Sequence, residues 1–376
     1  MSSETISALT STSGEPMLFD DVELYNYTLP ENLIAKEPLP NRDASRLLVL
    51  ERGGVDVQHR GVCDLPELLS PGDCLVLNDT RVLPARLIGQ REKTGGKWEG
   101  LYLGQTESGN WRLIGQSRGY LKSEEKIVLT PLGDFGDRAI LPLRLTLIDR
   151  EAEGVWLMRP DRSGDVVELL QEFGTMPLPP YMQRKVASRT DWERYQTTYA
   201  RQPGSVAAPT AGLHLTESLL NAIKQRGVEI ARVTLHVGLG TFRPIGVQSL
   251  SEHQMHSEWC EVNQETVEQI RATKERGGRI VAVGTTSVRT LESASLDGIL
   301  KPFRGSTSIF IRPPYQFRTI DALLTNFHLP RSTLIVLVSA LAGIESIKAA
   351  YAAAINKRYR FYSYGDAMLI LPSKSK

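Results

Sequence analysis

Polar groups able to do chemistry recur in this 376-residue chain at the ends of apolar runs, where a neighbouring element can hold them still. In RIVAVGTTSVRTLES an apolar strand pattern meets Gly284, Thr285, Thr286 and Ser287, and a helix is expected from near Ser287. Hydroxyls and open backbone N–H groups at a helix N-terminus beyond a parallel strand suit a phosphate or a carboxylate. The competing reading is that these residues merely cap the helix. No GxxxxGKS or GxxxxGKT run occurs, so the segment is not a P-loop. Asn78, Asp79 and Arg81 follow the apolar run CLVL, as a polar site at a domain junction or as a simple turn.

PGSVAAPTAGLHLT places His214 after a small-residue loop and just ahead of a helix, whose dipole is expected to keep the imidazole neutral and basic. A buried structural histidine is the alternative. HQMHSEWC holds His253, His256 and Cys260, a partial metal-ligand set, with Glu258 as an acid or base beside His256. Catalytic or structural use is favoured over metal there, because further matching ligands are missing. TNFHLPRSTL sets Asn326, His328 and Arg331 in a loop before a helix. HVGLGTFRP carries only a fragment of a dinucleotide fingerprint, with Pro244 where the helix would have to start.

These segments need a scaffold, and the composition is that of an ordinary globular one: 41% apolar and 23% charged residues. Forty-four basic residues against 43 acidic ones give a net charge of +1, so nucleic-acid binding must rest on local patches. Candidate patches mix cations with aromatics: Arg184, Lys185 and Arg189 near Tyr181, and Lys357, Arg358 and Arg360 near Tyr359 and Tyr362. Three cysteines without a CxxC, and no signal-peptide or membrane-span pattern, lead us to expect a cytoplasmic protein with no membrane partner.

Six short strand-like runs, PARLIG, WEGLYLG, WRLIGQ, KIVLT, ILPLRLTLI and GVWLMRP, alternate with turn chemistry between residues 83 and 159 and predict a small antiparallel barrel or sandwich. Around them, apolar strands such as RLLVL, CLVLN and RIVAV alternate with helices capped by Thr216, Asn263 and Ser332, and TSIFI is read as a further strand. The expected architecture is an α/β fold with a mainly parallel or mixed sheet covered by helices on both faces. That domain is discontinuous, 18–82 and 160–376, with the β-barrel inserted at 83–159 and a disordered tail at 1–17. No heptad appears, so a monomer is expected.

DASRLLVL, LNDTRVLPARL, PGSVAAPTAGLH, HVGLGTFRP, HQMHSE, GTTSVRTLE, LLTNFHLPRSTL and RFYSYGDAMLI, in this order from Leu18 to Leu371, resemble the S-adenosylmethionine:tRNA ribosyltransferase-isomerases of queuosine biosynthesis. The resemblance implies an α/β domain with an inserted barrel. It also implies transfer and isomerisation of the ribosyl part of S-adenosylmethionine onto the aminomethyl-deazaguanine (preQ1) wobble base of tRNA, releasing adenine and methionine. S-adenosylmethionine is then a co-substrate, with no cofactor or metal. On that reading His214 or Glu258 is the base, and Asp79 contacts the sulfonium or ribose hydroxyls. Thr285, Thr286 and Ser287 hold the methionine carboxylate, while Asn78, Arg81, His328 and Arg331 contact substrate or tRNA. The rival activities are a metal-assisted hydrolase using His253, His256 and Cys260, and a tRNA-binding module without catalysis.

Overall fold

The computed structural model describes residues 19–132, 140–184, 186–238 and 244–373. The expected tail, the GDFGD turn, Lys185 and Gly240 lie outside the described residues. The chain enters through β1 (Arg46–Glu51), β2 (Val57–Gly61), the short α1 (Leu65–Leu68), β3 (Cys74–Asn78) and β4 (Thr80–Val82). It then forms β5 (Arg86–Arg91), β6 (Lys97–Gln105), β7 (Trp111–Ser117), β8 (Lys126–Leu129), β9 (Leu143–Arg150) and β10 (Val155–Pro160). α2 (Val166–Phe173), β11 (Gly174–Thr175), α3 (Arg189–Arg194) and β12 (Gln202–Ser205) lead back. The return comprises α4 (Glu217–Gln225), β13 (Glu229–Leu235), β14 (Glu258–Val262), α5 (Gln264–Glu275), β15 (Ile280–Val283) and α6 (Gly284–Ser293). β16 (Phe303–Thr307), β17 (Ala322–Asn326), α7 (Thr333–Ala342), α8 (Ile344–Asn356) and β18 (Ala367–Leu371) complete the described chain.

Nine strands form one mixed sheet in the order β16-β14-β13-β3-β15-β17-β18-β1-β2. Its centre, β13-β3-β15-β17, is parallel, and β3, β15 and β17 are buried at every residue. Such strands need cover on both faces, and alternation divides it. Leu48, Leu50, Val76 and Ala282 face one core with Val267, Val288, Leu291 and Ala350 of α5, α6 and α8. Leu47, Val49, Leu75 and Val283 face the other, with Leu65 of α1 and Leu219 and Ile223 of α4. The expected caps form: Thr216 accepts the N–H of Leu219 at 3.1 Å, and Asn263 that of Thr266 at 2.8 Å. Ser332 caps α7 in the same way.

Strands β5 to β10 make a closed antiparallel barrel, β5-β6-β7-β10-β9-β8, sealed by β5 against β8. Trp98, Trp111, Leu113, Ile127, Leu145 and Met158 fill it, with Leu170 and Phe173 of α2. Gly100 and Gly115 face each other across β6 and β7. A Cβ on Gly100 would stand 2.3 Å from the Trp98 ring, and one on Gly115 2.7 Å from Trp156, so these positions exclude side chains. Barrel hydrogen bonding continues to Thr175 through β11, which pairs with β5.

Two expectations need correction. TSIFI is not a strand: the ladder with β14 is made by Phe303–Thr307, whose edge position half-buries Phe303 and Gly305 and fully buries only Thr307. Ile309, Phe310 and Ile311 instead pack against the core in irregular chain. Helix α6 begins at Gly284, not Ser287, because Gly284 at φ +84° lets the strand turn straight into the helix. No single helix among the described residues is long and apolar enough to cross a membrane, and the apolar pair α7 and α8 is bent by 114°.

Candidate active site

The parallel centre brings the carboxyl ends of four strands to one edge of the sheet: Asn78–Asp79 after β3, His236–Gly238 after β13, Gly284–Ser287 after β15 and Asn326–His328 at β17. Antiparallel pairing places the start of β14, Glu258, on the same edge. The arrangement of β18 and β1 adds Asp366 and Ser45 there. Segments from Ser45 to Asp366 thus meet along strands spaced by roughly 4.8 Å, at the edge where open α/β sheets bind ligands.

The loop from Pro203 to Thr216 runs across this edge and is hydrogen-bonded to it strand by strand. Ser205 Oγ accepts the N–H of Val237 at 2.9 Å, and Thr210 donates to Asn326 Oδ1 at 2.8 Å. Asn326 Nδ2 donates to the carbonyl of Tyr362 at 3.3 Å and to His214 Nε2 at 3.1 Å. That orientation leaves the His214 proton on Nδ1, which donates to Ser45 Oγ at 3.0 Å. Burial, rather than the following helix, holds His214 neutral, its pKa pushed down to about 4. The imidazole has a partner on each nitrogen and ties the loop to the sheet.

His328 is likewise buried, with Nε2 on Thr325 Oγ1 at 2.8 Å and its pKa lowered to about 3 by burial. A neutral, enclosed imidazole cannot serve as a cation for phosphate. Arg331, at φ +54°, pairs with Glu23 at 3.1 Å. Arg81 is exposed on β4. Asn78 is fully buried and spent on backbone: Oδ1 accepts the N–H groups of Leu235 and Thr80, and Nδ2 donates to the Leu235 carbonyl.

Asp79 is buried beside it, with Oδ1 accepting the Thr234 hydroxyl at 2.7 Å. Burial raises its carboxyl pKa above the ordinary range, while Thr234 and the nearby Arg232 and Arg201 pull the other way. Its carbonyl accepts the N–H groups of Arg201 and Gln202, and β4 and β12 pair directly beyond it. Glu258 is buried and accepts the N–H of Gly238 at 2.8 Å on Oε1, while Oε2 takes the guanidinium of Arg289. His236, not singled out from sequence, bonds Thr80 Oγ1 through Nδ1 at 2.8 Å and stacks on Trp259.

Above Gly238 and Ala207 opens a cleft of about 410 Å³ between the barrel, through Arg86, Leu101 and Ile114, and the Pro177–Pro180 segment. This lies within the roughly 300–1,000 Å³ of small-molecule sites. The histidine–cysteine set does not converge. His253 packs edge-on to Phe310, His256 is exposed, and Cys260 faces Ala207, Leu235 and Val237 in the core. Burial pushes the Cys260 thiol up to about 12. Among the described residues no group of three His, Cys, Asp or Glu side chains could hold a metal ion.

Residues 22–370 match the model of a family described as queuosine biosynthesis protein. The chain belongs to that family. A relative from Symbiobacterium thermophilum, named S-adenosylmethionine:tRNA ribosyltransferase-isomerase, is 50% identical over 348 residues, covering 92% of this chain and 98% of its own. One of the same name from Acetivibrio thermocellus is 49% identical over 347 residues, with the same coverage. A crystal structure of S-adenosylmethionine tRNA ribosyltransferase from Thermotoga maritima is 36% identical, with a TM-score of 0.51, and covers 93% of this chain and all of that one. In this queuosine-family chain, Arg289, like His236, is an edge residue that the sequence does not mark. An arginine inside GTTSVRTLES reads as a solvated helix face, and only the packing of α6 buries it.

Proposed function

We propose that this chain, by family an S-adenosylmethionine:tRNA ribosyltransferase-isomerase, carries out its reaction at the carboxyl edge of the large sheet, beneath the barrel cleft. The reaction moves the ribosyl part of S-adenosylmethionine onto the aminomethyl group of a preQ1 wobble base in tRNA. It closes the ring to an epoxycyclopentanediol and releases adenine and methionine. The observation that carries this siting is the convergence of Asp79, Glu258, His236 and the start of α6 on one edge, roofed by the Pro203–Thr216 loop.

The chemistry requires a base for the acidic carbon beside the sulfonium, an anion subsite for the methionine carboxylate, and cations for tRNA outside the pocket. Asp79 suits the first. Burial makes its carboxylate more basic, and a carboxylate next to a sulfonium is favoured electrostatically. It displaces His214, whose lone pair is taken by Asn326, and Glu258, whose charge is held by Arg289. Thr285 and Thr286, in the first turn of α6 where no side chain caps the N–H groups, suit the carboxylate. The exposed Arg81 suits a tRNA phosphate.

The test is release of free adenine and methionine, read by mass spectrometry, from S-adenosylmethionine mixed with protein and preQ1-containing tRNA. Both products are expected only when that tRNA is present. Their absence with folded protein would sink the assignment.

A further inference from the structure

Helix α6 is buried at all ten of its residues, so its polar side chains must find partners inside the protein. Most do. Ser287 donates to the Val283 carbonyl at 2.8 Å, Thr290 to that of Thr286 at 2.9 Å, and Ser293 bonds Thr307 at 2.5 Å. Glu292 accepts the N–H groups of Arg318, Thr319 and Ile320. Two side chains hold buried atoms that do not: Thr286 Oγ1, and Nε and Nη2 of Arg289, have no partner among the described residues, although Thr286 is 7% and Arg289 5% exposed.

The two lie on one face of the helix, one turn apart, with Cβ atoms about 5–6 Å from each other. The Thr286 hydroxyl turns back over the helix start, 3.5 Å from where a Cβ on Gly284 would stand. Arg289 Nη1 is held by Glu258, which is itself fixed by the Gly238 N–H. What remains of the guanidinium, Nε with Nη2, is its side-on edge, two parallel donors that match a planar carboxylate. Glu258 already neutralises Arg289, so a further anion needs more positive potential. The N-terminal turn of α6 supplies part of it, and a ligand carrying its own cation supplies the rest.

We propose that Arg289 and Thr286 form a carboxylate subsite, and that its occupant is the α-carboxylate of S-adenosylmethionine, whose sulfonium provides that cation. The assignment rests on the reaction proposed above. Glu258 is then a positioning residue that aims Arg289. A nucleic-acid phosphate, flanked by two riboses, is too bulky for side chains more than nine-tenths enclosed, whereas a carboxylate ending a short flexible arm is the smaller anion and needs only a narrow approach.

Decarboxylated S-adenosylmethionine, which lacks only that group, tests this. Adenine release on preQ1-containing tRNA is compared for the two co-substrates in wild type, Arg289→Gln, Arg289→Lys and Thr286→Val. Wild type is expected to lose about 10- to 100-fold in kcat/KM when the carboxylate is missing, the range of charge-assisted hydrogen bonds. Arg289→Gln is expected to lose as much on the full co-substrate, through its KM, and to discriminate less than about 3-fold, with the KM for tRNA unmoved. Lysine, a single point donor, should restore part of the discrimination. Thr286→Val, nearly isosteric and less disruptive should Arg289→Gln not fold, should weaken only the full co-substrate.

Undiminished discrimination in Arg289→Gln, or in Thr286→Val if the former does not fold, overturns the proposal. So does a loss that appears in the KM for tRNA instead, which would mark a phosphate site. If wild type releases no adenine, the reaction assignment fails separately. Calorimetric binding of the two co-substrates in the presence of tRNA then decides the subsite: discrimination lost in Arg289→Gln supports it, and none in wild type removes it.

Discussion

Replacing Asn78 by Ala separates a structural amide from a substrate contact. The Asn78 side chain continues the β3–β13 ladder past the end of β3: it accepts from Leu235 N at 3.0 Å and Thr80 N at 3.1 Å and donates to Leu235 O at 3.0 Å. Alanine strands three backbone groups around a residue with 0% exposure. Each unmet buried group costs about 1–3 kcal/mol, and a gap the size of one amide admits about one water, which recovers part of the loss. The expected net destabilisation is about 3–5 kcal/mol, at the top of the range for single substitutions. Urea unfolding followed by circular dichroism measures it, and adenine release from the fraction still folded reports the site. Asn78→Asp keeps the two acceptor contacts but sets a carboxylate oxygen against the Leu235 carbonyl, so it should also be strongly destabilised. A loss below about 1 kcal/mol together with abolished turnover would refute the reasoning and return Asn78 to the substrate.

Three other outcomes are expected. His214 is depressed from 6.5 to about 4, so the unfolded chain takes up its proton first as pH falls. Its contribution is complete above pH 6.5 and is lost down to about pH 4, roughly 3 kcal/mol in all. Thermal midpoints of wild type should therefore fall more steeply over this interval than those of His214→Gln, and parallel curves would contradict it. Asp79→Asn should lower kcat by ~10²-fold or more and remove an acid limb of the pH–rate profile lying above the usual carboxylate range. A surviving limb assigns the base elsewhere. Gly100→Ala, which forces a Cβ to 2.3 Å from Trp98, should destabilise the barrel by about 1–3 kcal/mol, and unchanged urea unfolding would contradict that.

Local patterning made much of the scaffold legible. Each of the six runs read between PARLIG and GVWLMRP became one barrel strand, because alternation and turn residues are properties of neighbours in sequence. Thr216, Asn263 and Ser332 marked helix starts for the same reason. The helix start at Gly284 was missed because Ser287 looks like a cap, whereas its hydroxyl bonds back to Val283 within the helix. At the site, the segments were visible but the state of each side chain was not. His214 owes its neutrality to burial supplied by Ser45 and Asn326, 169 and 112 residues away. Asn78 gives both ends of its amide to Leu235, 157 residues away. Glu258 pairs with Arg289, 31 residues on, a contact that its own segment does not show. Such facts exist only once the sheet order is fixed.

The junction of barrel and sheet has a mechanical consequence. The chain departs for the barrel through Thr80, the residue after Asp79, and on return Arg201 and Gln202 are clipped to the Asp79 carbonyl at 2.7 and 3.2 Å. Outgoing and incoming threads then run side by side as β4 and β12. A displacement of the barrel is therefore transmitted to the backbone of Asp79 through these paired threads. The molecule is built like a crank whose handle is the barrel and whose pivot is the backbone of Asp79, the carboxylate proposed above as the base.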